Sequence, residues 1–290
     1  MSKRIRKVVI PVAGLGTRVL PATKSIPKEL LTVVDRPLID YVVEEARDAG
    51  IEHIILVTGR GKGAIEDYFD HAYELEATLK AKSKDAMLDD LLGRLPKAGD
   101  VSYTRQQAPL GLGHAVWCAR DIIGDEPFAV SLPDEIVPHR PGFLRQMVDA
   151  YEKVGGNLVA VEEVPKEDTQ KYGVIAPKGQ SGNLIEMSGM VEKPKPEDAP
   201  SNFRIIGRYI LQADIFPLLE NQGAGAGGEI QLTDSMNRLN EAQTFNACIC
   251  EGVIHDCGSK LGWLQANLDL GLQSKEFGDA FAQFAKERLS

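Results

Sequence analysis

Nothing in the 290 residues approaches the run of about 18 apolar positions that a bilayer-spanning helix needs. The start, Met1-Ser2-Lys3-Arg4-Ile5-Arg6-Lys7, is basic, but the apolar run after it, Val8 to Ala13, ends at glycines and is too short for a signal-peptide core. Cysteine is sparse as well. Cys118, Cys248, Cys250 and Cys257 form no CxxC pair, and Cys248 and Cys250 lie two apart in a strand-like stretch, where both face one side. Zinc and disulfide roles are therefore set aside, and a cytoplasmic, reducing location with no membrane partner is expected. Positive charge is in short supply: a net charge of −9 leaves no broad basic face for nucleic acid. That shortage does not exclude small phosphorylated ligands, which need only a few cations gathered at one site. Two familiar phosphate loops are also missing. There is no Gly-Lys-Ser/Thr, and Val19 stands where a dinucleotide fingerprint would carry its third glycine.

What is present is the composition of an ordinary globular chain, 43% hydrophobic and 26% charged, long enough to build a sizeable core. Strand-like runs cover Lys7 to Val12, Ile54 to Thr58, Val101 to Arg105, Phe128 to Leu132, Leu158 to Val164, Gly173 to Ala176, Phe203 to Leu211 and Phe245 to Ile249. Helical patterns such as Leu38 to Ala49 separate many of them. The alternation predicts an α/β fold, Rossmann-like, with a mixed, mainly parallel central sheet flanked by helices. We read the chain as a single domain over 1–290, with a helical insertion at about 66–97 and a C-terminal helical segment at about 260–290. In the insertion, Leu75, Leu79, Leu88, Leu91, Leu92 and Leu95 form an apolar stripe, expected to pack on the sheet. The amphipathic C-terminal segment is expected to close the domain, with a subunit contact as the alternative.

The strongest local signal follows the first strand: Pro11-Val12-Ala13-Gly14-Leu15-Gly16-Thr17-Arg18, then Pro21, Lys24 and Pro27-Lys28-Glu29-Leu30. Glycines let a backbone approach phosphate closely, and successive N–H groups can form an anion-binding nest. A lone Gly-x-Gly could equally be a tight turn. Arg18, Lys24 and Lys28, crowded into the same stretch, are what a triphosphate would require.

The stretch from Ala13 to Leu30 resembles the signature of bacterial UTP–glucose-1-phosphate uridylyltransferases, within the wider sugar-nucleotidyltransferase family. The wider pattern is Gly-x-Gly-Thr-Arg-Leu-x-Pro; here Val19 separates Arg18 from Leu20, as that branch allows. The resemblance covers nearly the whole chain. It implies a nucleotidyltransferase fold and transfer of a uridylyl group from UTP to glucose 1-phosphate, giving UDP-glucose and pyrophosphate. It also implies a Mg²⁺ cofactor and a homodimer or homotetramer. A sister enzyme using dTTP, or an inactive nucleotide-sugar-binding regulator, would share much of the pattern.

By the same resemblance, Ala13, Gly14, Leu15, Gly16 and Thr17 bind the nucleotide, with Arg18 on the leaving phosphates. Gln106 and Gly111, in Arg105-Gln106-Gln107 and Gly111-Leu112-Gly113-His114, read the pyrimidine. A buried amide suits that task because it offers a donor and an acceptor. His114 is read as a helix-start residue. Asp134, after the strand Phe128 to Leu132, lies where ligands gather in open α/β sheets, although an acid there can simply cap a turn. The likeness makes Asp134 the Mg²⁺ ligand and Asp256, in His255-Asp256-Cys257-Gly258, its partner. Neutralising Asp134 should not harm the fold, since an acidic chain sheds one negative charge. Gly173, Glu192 and Gly207 are matched to sugar contacts, and Lys28 and Lys193 to the reacting phosphates. Thr233 is expected to cap the helix that carries Met236 and Leu239.

Overall fold

The computed structural model describes residues 3–289; Met1 and Ser2 of the basic start, and Ser290, lie outside them. The chain opens with β1 (Lys7–Pro11), β2 (Thr32–Val33), β3 (Arg36–Pro37), α1 (Leu38–Asp48) and β4 (His53–Thr58). Next come α2 (Gly63–Tyr68), α3 (Tyr73–Ala81), α4 (Asp85–Arg94), β5 (Val101–Arg105), α5 (Leu112–Trp117), α6 (Arg120–Ile123) and β6 (Phe128–Ser131). The middle holds β7 (Glu135–Ile136), α7 (Phe143–Val154), β8 (Asn157–Glu163), β9 (Gly173–Ser181), β10 (Leu184–Glu192) and β11 (Phe203–Leu211). It closes with α8 (Ile215–Glu220), α9 (Leu232–Asn240), β12 (Phe245–Ile249), β13 (His255–Asp256), α10 (Lys260–Leu272) and α11 (Gly278–Leu289).

One nine-stranded sheet runs β5-β4-β1-β6-β11-β8-β12-β10-β9. Val8, Val9 and Ile10 of β1 are all fully buried, because a central parallel strand is covered on both faces. Alternate residues serve opposite layers. Val8 and Ile10 join α1 and α7 in one core, whereas Val9 joins α5, α8 and α9 in the other. In α1 the buried positions Leu38, Ile39, Val42, Val43 and Ala46 repeat at helical spacing and form the stripe that docks on the sheet. Burying one such aliphatic side chain is worth about 1.5–3 kcal/mol.

The sheet is mixed, but the expectation that it is mainly parallel needs correction. Parallel pairing is confined to β5-β4-β1-β6 and to β8 beside β12. β11 runs antiparallel to both β6 and β8, and β9 and β10 form a hairpin, so the second half is largely antiparallel. The Gly173 strand extends to Ser181, and its partner β10 is a strand that periodicity alone does not reveal. The helical insertion also departs from expectation. α3 and α4 pair with each other, but Leu75, Met87 and Leu92 stay exposed while Leu79 is buried. The anchor is α1 rather than the sheet: Arg94 pairs with Asp40 at 3.0 Å, and Arg47 donates to the Arg94 carbonyl. At the other end, Ser259 caps α10 by accepting from the Gly262 amide at 3.1 Å. One face of α10 covers the domain through Ala266, while Leu261, Leu264 and Leu268 remain exposed. No helix among the described residues is long and apolar enough to cross a membrane.

Candidate active site

Beyond β1 the chain crosses the carboxyl end of the sheet in three tight turns, Thr17–Val19, Ala22–Lys24 and Lys28–Leu30. Gly16 sits at φ 66, and a Cβ there would lie 3.1 Å from Thr23 and 3.2 Å from Lys28. The loop folds back on itself only because that position is glycine. Thr23 ties the fold-back by donating its hydroxyl to the Gly16 carbonyl at 2.7 Å. The Lys28 ammonium thereby comes to rest over Gly14, and Ala13 is braced by the backbone of Gly59. Leu15 is 67% exposed, which leaves this loop open to a ligand. Of the three cations in the stretch, Arg18 and Lys28 line the cavity, and Lys24 stays exposed outside it. Glu29 turns away and forms a buried pair with Lys62 at 2.7 Å, and burial pushes its carboxyl above the usual range despite Lys62 and Lys28.

Asp134 lies just beyond β6. Lys28 donates to its Oδ2 at 2.7 Å, and the Arg18 guanidinium stands 3.5 Å away. Burial works to raise the Asp134 pKa, but Lys28 and Arg18 outweigh it and hold the carboxyl below its ordinary value. Burial works against the Lys28 ammonium too, yet Asp134 and Glu29 keep its pKa above the ordinary one. The turn that presents Asp134 is clamped by Arg208, which is fully buried and donates to the Leu132, Gly207 and Glu135 carbonyls and to the Glu45 carboxylate. Glu45 also accepts from the Leu144 amide at 2.9 Å and so satisfies the first turn of α7. Arg208, the residue after Gly207, is therefore the brace of the Asp134 turn.

The Cys257 amide donates to the Asp134 carbonyl at 2.7 Å, and Asp256 pairs with Glu135 across β13 and β7, which brings the two aspartates together. A Cβ placed on Gly258 would lie 2.8 Å from Asp134 Oδ2 and 3.0 Å from Asp256 Oδ1. Two carboxylate oxygens and the Arg18 guanidinium, 2.9 Å from the same point, thus converge on one small space that only a glycine leaves open. No group of three or more metal-ligating side chains exists among the described residues. The donor set is that of a hard cation completed by substrate phosphates and water, which suits Mg²⁺.

On the far side of Asp134, Gly173 pairs with Glu192 across the β9-β10 hairpin. Lys193 adopts a left-handed φ of 48, its amide donates to the Tyr172 carbonyl, and its ammonium stands 3.3 Å from Glu192. Such a backbone is uncommon outside glycine and re-aims the side chain at the end of the strand. Thr233 does not cap α9. It lies inside the helix, and its hydroxyl donates to Glu192 Oε2 at 2.7 Å. The Gly207 amide is taken by Glu135, whose other oxygen receives Arg204 at 3.0 Å. Arg204 in turn lies 4.4 Å over the Tyr172 ring. Sequence reasoning missed Glu135 and Arg204 and gave Thr233 the wrong role, because the signal of each is only its buried polar partner.

On the near side, Gln106 is buried and donates its amide to the Gly111 carbonyl and to His114 Nδ1, each at 3.0 Å. Gly111, at φ 105, packs so tightly that a Cβ would lie 2.8 Å from the Ile230 carbonyl oxygen. Two cavities result. One of about 580 Å³ holds Gly14 to Arg18, Lys28, Gln106 and Gly111; the other, about 360 Å³, holds Gly173, Glu192, Lys193, Gly207 and Asp256. Arg18 and Asp134 line both.

A family model described as nucleotidyl transferase matches residues 7–272. The chain belongs to the nucleotidyl transferase family. Within it, a UTP–glucose-1-phosphate uridylyltransferase of Bacillus subtilis is 49% identical over 99% of this chain and 98% of its own. A solved UTP-bound UDP-glucose pyrophosphorylase from Acinetobacter baumannii superposes with a TM-score of 0.90 at 46% identity, covering 98% of this chain and 99% of that one. A further UDP-glucose pyrophosphorylase, solved with UDP-glucose, gives 0.83 at 42% identity, over 93% of this chain and all of that one. This chain is thus similar to members of the uridylyltransferase group along nearly its full length.

Proposed function

We infer that this chain transfers the uridylyl group of UTP to glucose 1-phosphate, releasing pyrophosphate and forming UDP-glucose. The observation that carries the reading is the pair of cavities meeting at Arg18 and Asp134, one with a phosphate loop and the other with Glu192 and Lys193. A sugar phosphate oxygen is already largely dianionic at neutral pH, because its second pKa is about 6, so no general base is needed. That oxygen forms a bond to the α-phosphorus of UTP. The bond from the α-phosphorus to the bridging oxygen breaks, and its electron pair leaves with pyrophosphate.

Alignment and charge neutralisation are then the whole of catalysis. The Gly14 to Thr17 backbone and Arg18 take the leaving phosphates, and Lys28 and Lys193 the reacting ones. Glu192 and the Gly173 and Gly207 region hold the sugar. Asp134 and Asp256 would hold Mg²⁺, which supplies charge neutralisation on the phosphates. Simultaneous retention of Arg18, Lys28, Asp134, Lys193 and Asp256 argues against an inactive regulator. A cytoplasmic location suits the four free thiols, and a homodimer or homotetramer completes the reading. Pyrophosphate release measured across a panel of nucleotides and sugar phosphates tests it: UTP with glucose 1-phosphate should be the best pair, and faster turnover with dTTP would move the chain to the thymidylyl branch.

A further inference from the structure

Gln106 has an amide nitrogen with two hydrogens, and both are used. The atom 3.0 Å from the Gly111 carbonyl must be nitrogen, because a carbonyl oxygen can only accept. The second hydrogen then points at His114 Nδ1, also at 3.0 Å. His114 must meet it with a bare ring nitrogen, so the ring is neutral and carries its proton on Nε2. Burial lowers the His114 pKa, in keeping with a neutral ring. The ring cannot easily turn away: it stacks on Trp117 with centroids 5.7 Å apart, and the Cys118 sulfur lies 3.9 Å from Nδ1. With one hydrogen engaged, the amide plane could still swing; with both engaged, it is fixed. Among the described residues no group donates to Gln106 Oε1, which is the atom left for a ligand.

We propose that His114 is the positioning residue that orients the Gln106 amide, so that its oxygen faces the base and the site selects a pyrimidine whose ring nitrogen carries a hydrogen. Uracil has such an N–H. Cytosine presents a lone pair there, which would face the Gln106 oxygen with no hydrogen between them. The proposal rests on the assignment of the nucleotide cavity to UTP made above. It gives His114 a task beyond starting α5.

The test compares UTP with CTP in the parent, His114→Leu, His114→Asn and Gln106→Leu, with melting temperatures measured alongside. His114→Leu should lower the UTP-over-CTP ratio of kcat/KM roughly tenfold, mostly through KM for UTP and without a matching rise in KM for glucose 1-phosphate. His114→Asn, whose amide oxygen can accept near the Nδ1 position, should recover most of that selectivity. Parent-like selectivity in His114→Leu beside lost selectivity in Gln106→Leu would overturn the role of His114 and leave Gln106 as the reader. Equal losses in the Leu and Asn variants would reduce His114 to packing, which also overturns the proposal. If Gln106→Leu keeps the parent's selectivity, the base is read elsewhere and both assignments fall.

Discussion

Asp134 sits between two cations, and that alters what its removal does. From the sequence, neutralising it looks harmless to the fold, since an acidic chain loses one negative charge. The geometry says otherwise, because Asp134→Asn would leave the Lys28 ammonium, whose side chain is 17% exposed, without its anionic partner. A buried charge that loses its partner is costly. The variant should therefore fold but melt below the parent in the absence of ligands. Turnover should fall about 10²–10³-fold, the scale of a lost electrostatic contact to the reacting groups. The stability difference has a pH signature. The folded pKa of Asp134 is depressed, so its contribution is complete above the unfolded value of about 3.9 and disappears as pH falls through the folded one. Melting curves of parent and variant should be furthest apart near neutrality and converge below about pH 4. A constant gap across that range, or near-normal turnover, would remove Asp134 from the place assigned to it.

At the scale of elements, Glu45 on α1 and Arg208 on β11 join three parts of the fold: the helix layer, the first turn of α7 and the turn bearing Asp134. Glu45→Ala would strand a fully buried guanidinium, and breaking such a pair from one side typically costs about 3–5 kcal/mol. Denaturant unfolding should record a loss of that size; a cost near that of a surface pair, about 0–1 kcal/mol, would show that Arg208 finds compensation elsewhere. This clamp was not legible in the sequence, because its partners are 163 positions apart and each charge alone looks like a solvated one. Glu135 with Arg204, and Glu29 with Lys62, were hidden for the same reason. β10 escaped for another. Its apolar residues Ile185, Met187 and Met190 lose the two-residue period where bulges interrupt the pairing with β9. What could be read were contiguous features. The loop from Ala13 to Lys28 carries its glycines and the two cations that line the cavity within one segment, and the central strands are unbroken apolar runs. Asp134 was legible because it directly follows such a run.

For the molecule as a whole, the arrangement of the sheet makes a claim about cooperativity. The strands β5, β4, β1 and β6, on the side of the cavity with the Gly14 to Arg18 loop, continue without a gap into β11, β8, β12, β10 and β9, on the side of the cavity with Glu192 and Lys193. β11 joins the halves: it pairs with β6 along Arg208 to Leu211 on one edge, with β8 between Phe203 and Ile210 on the other, and with β9 at Arg204. Each helix layer also draws on both halves, for Val8 and Cys248 share one core and Val9 and Phe245 the other. Neither half could open without exposing the apolar face of its neighbour, so the chain should unfold in one step although it is longer than most two-state domains. A ligand bound to either cavity then stabilises the whole. At about 100 times its dissociation constant it contributes about 2.7 kcal/mol, which for a chain of this size should raise Tm by roughly 4–5 °C. Calorimetry with UTP and Mg²⁺, and separately with glucose 1-phosphate, should show a single transition that moves intact in both cases. Lys193→Ala should weaken the shift caused by glucose 1-phosphate and spare that caused by UTP, because Lys193 lines only the sugar-side cavity. Two transitions, with only one responding to UTP, would mean that the sheet is divided near β11 and that each half stands on its own core.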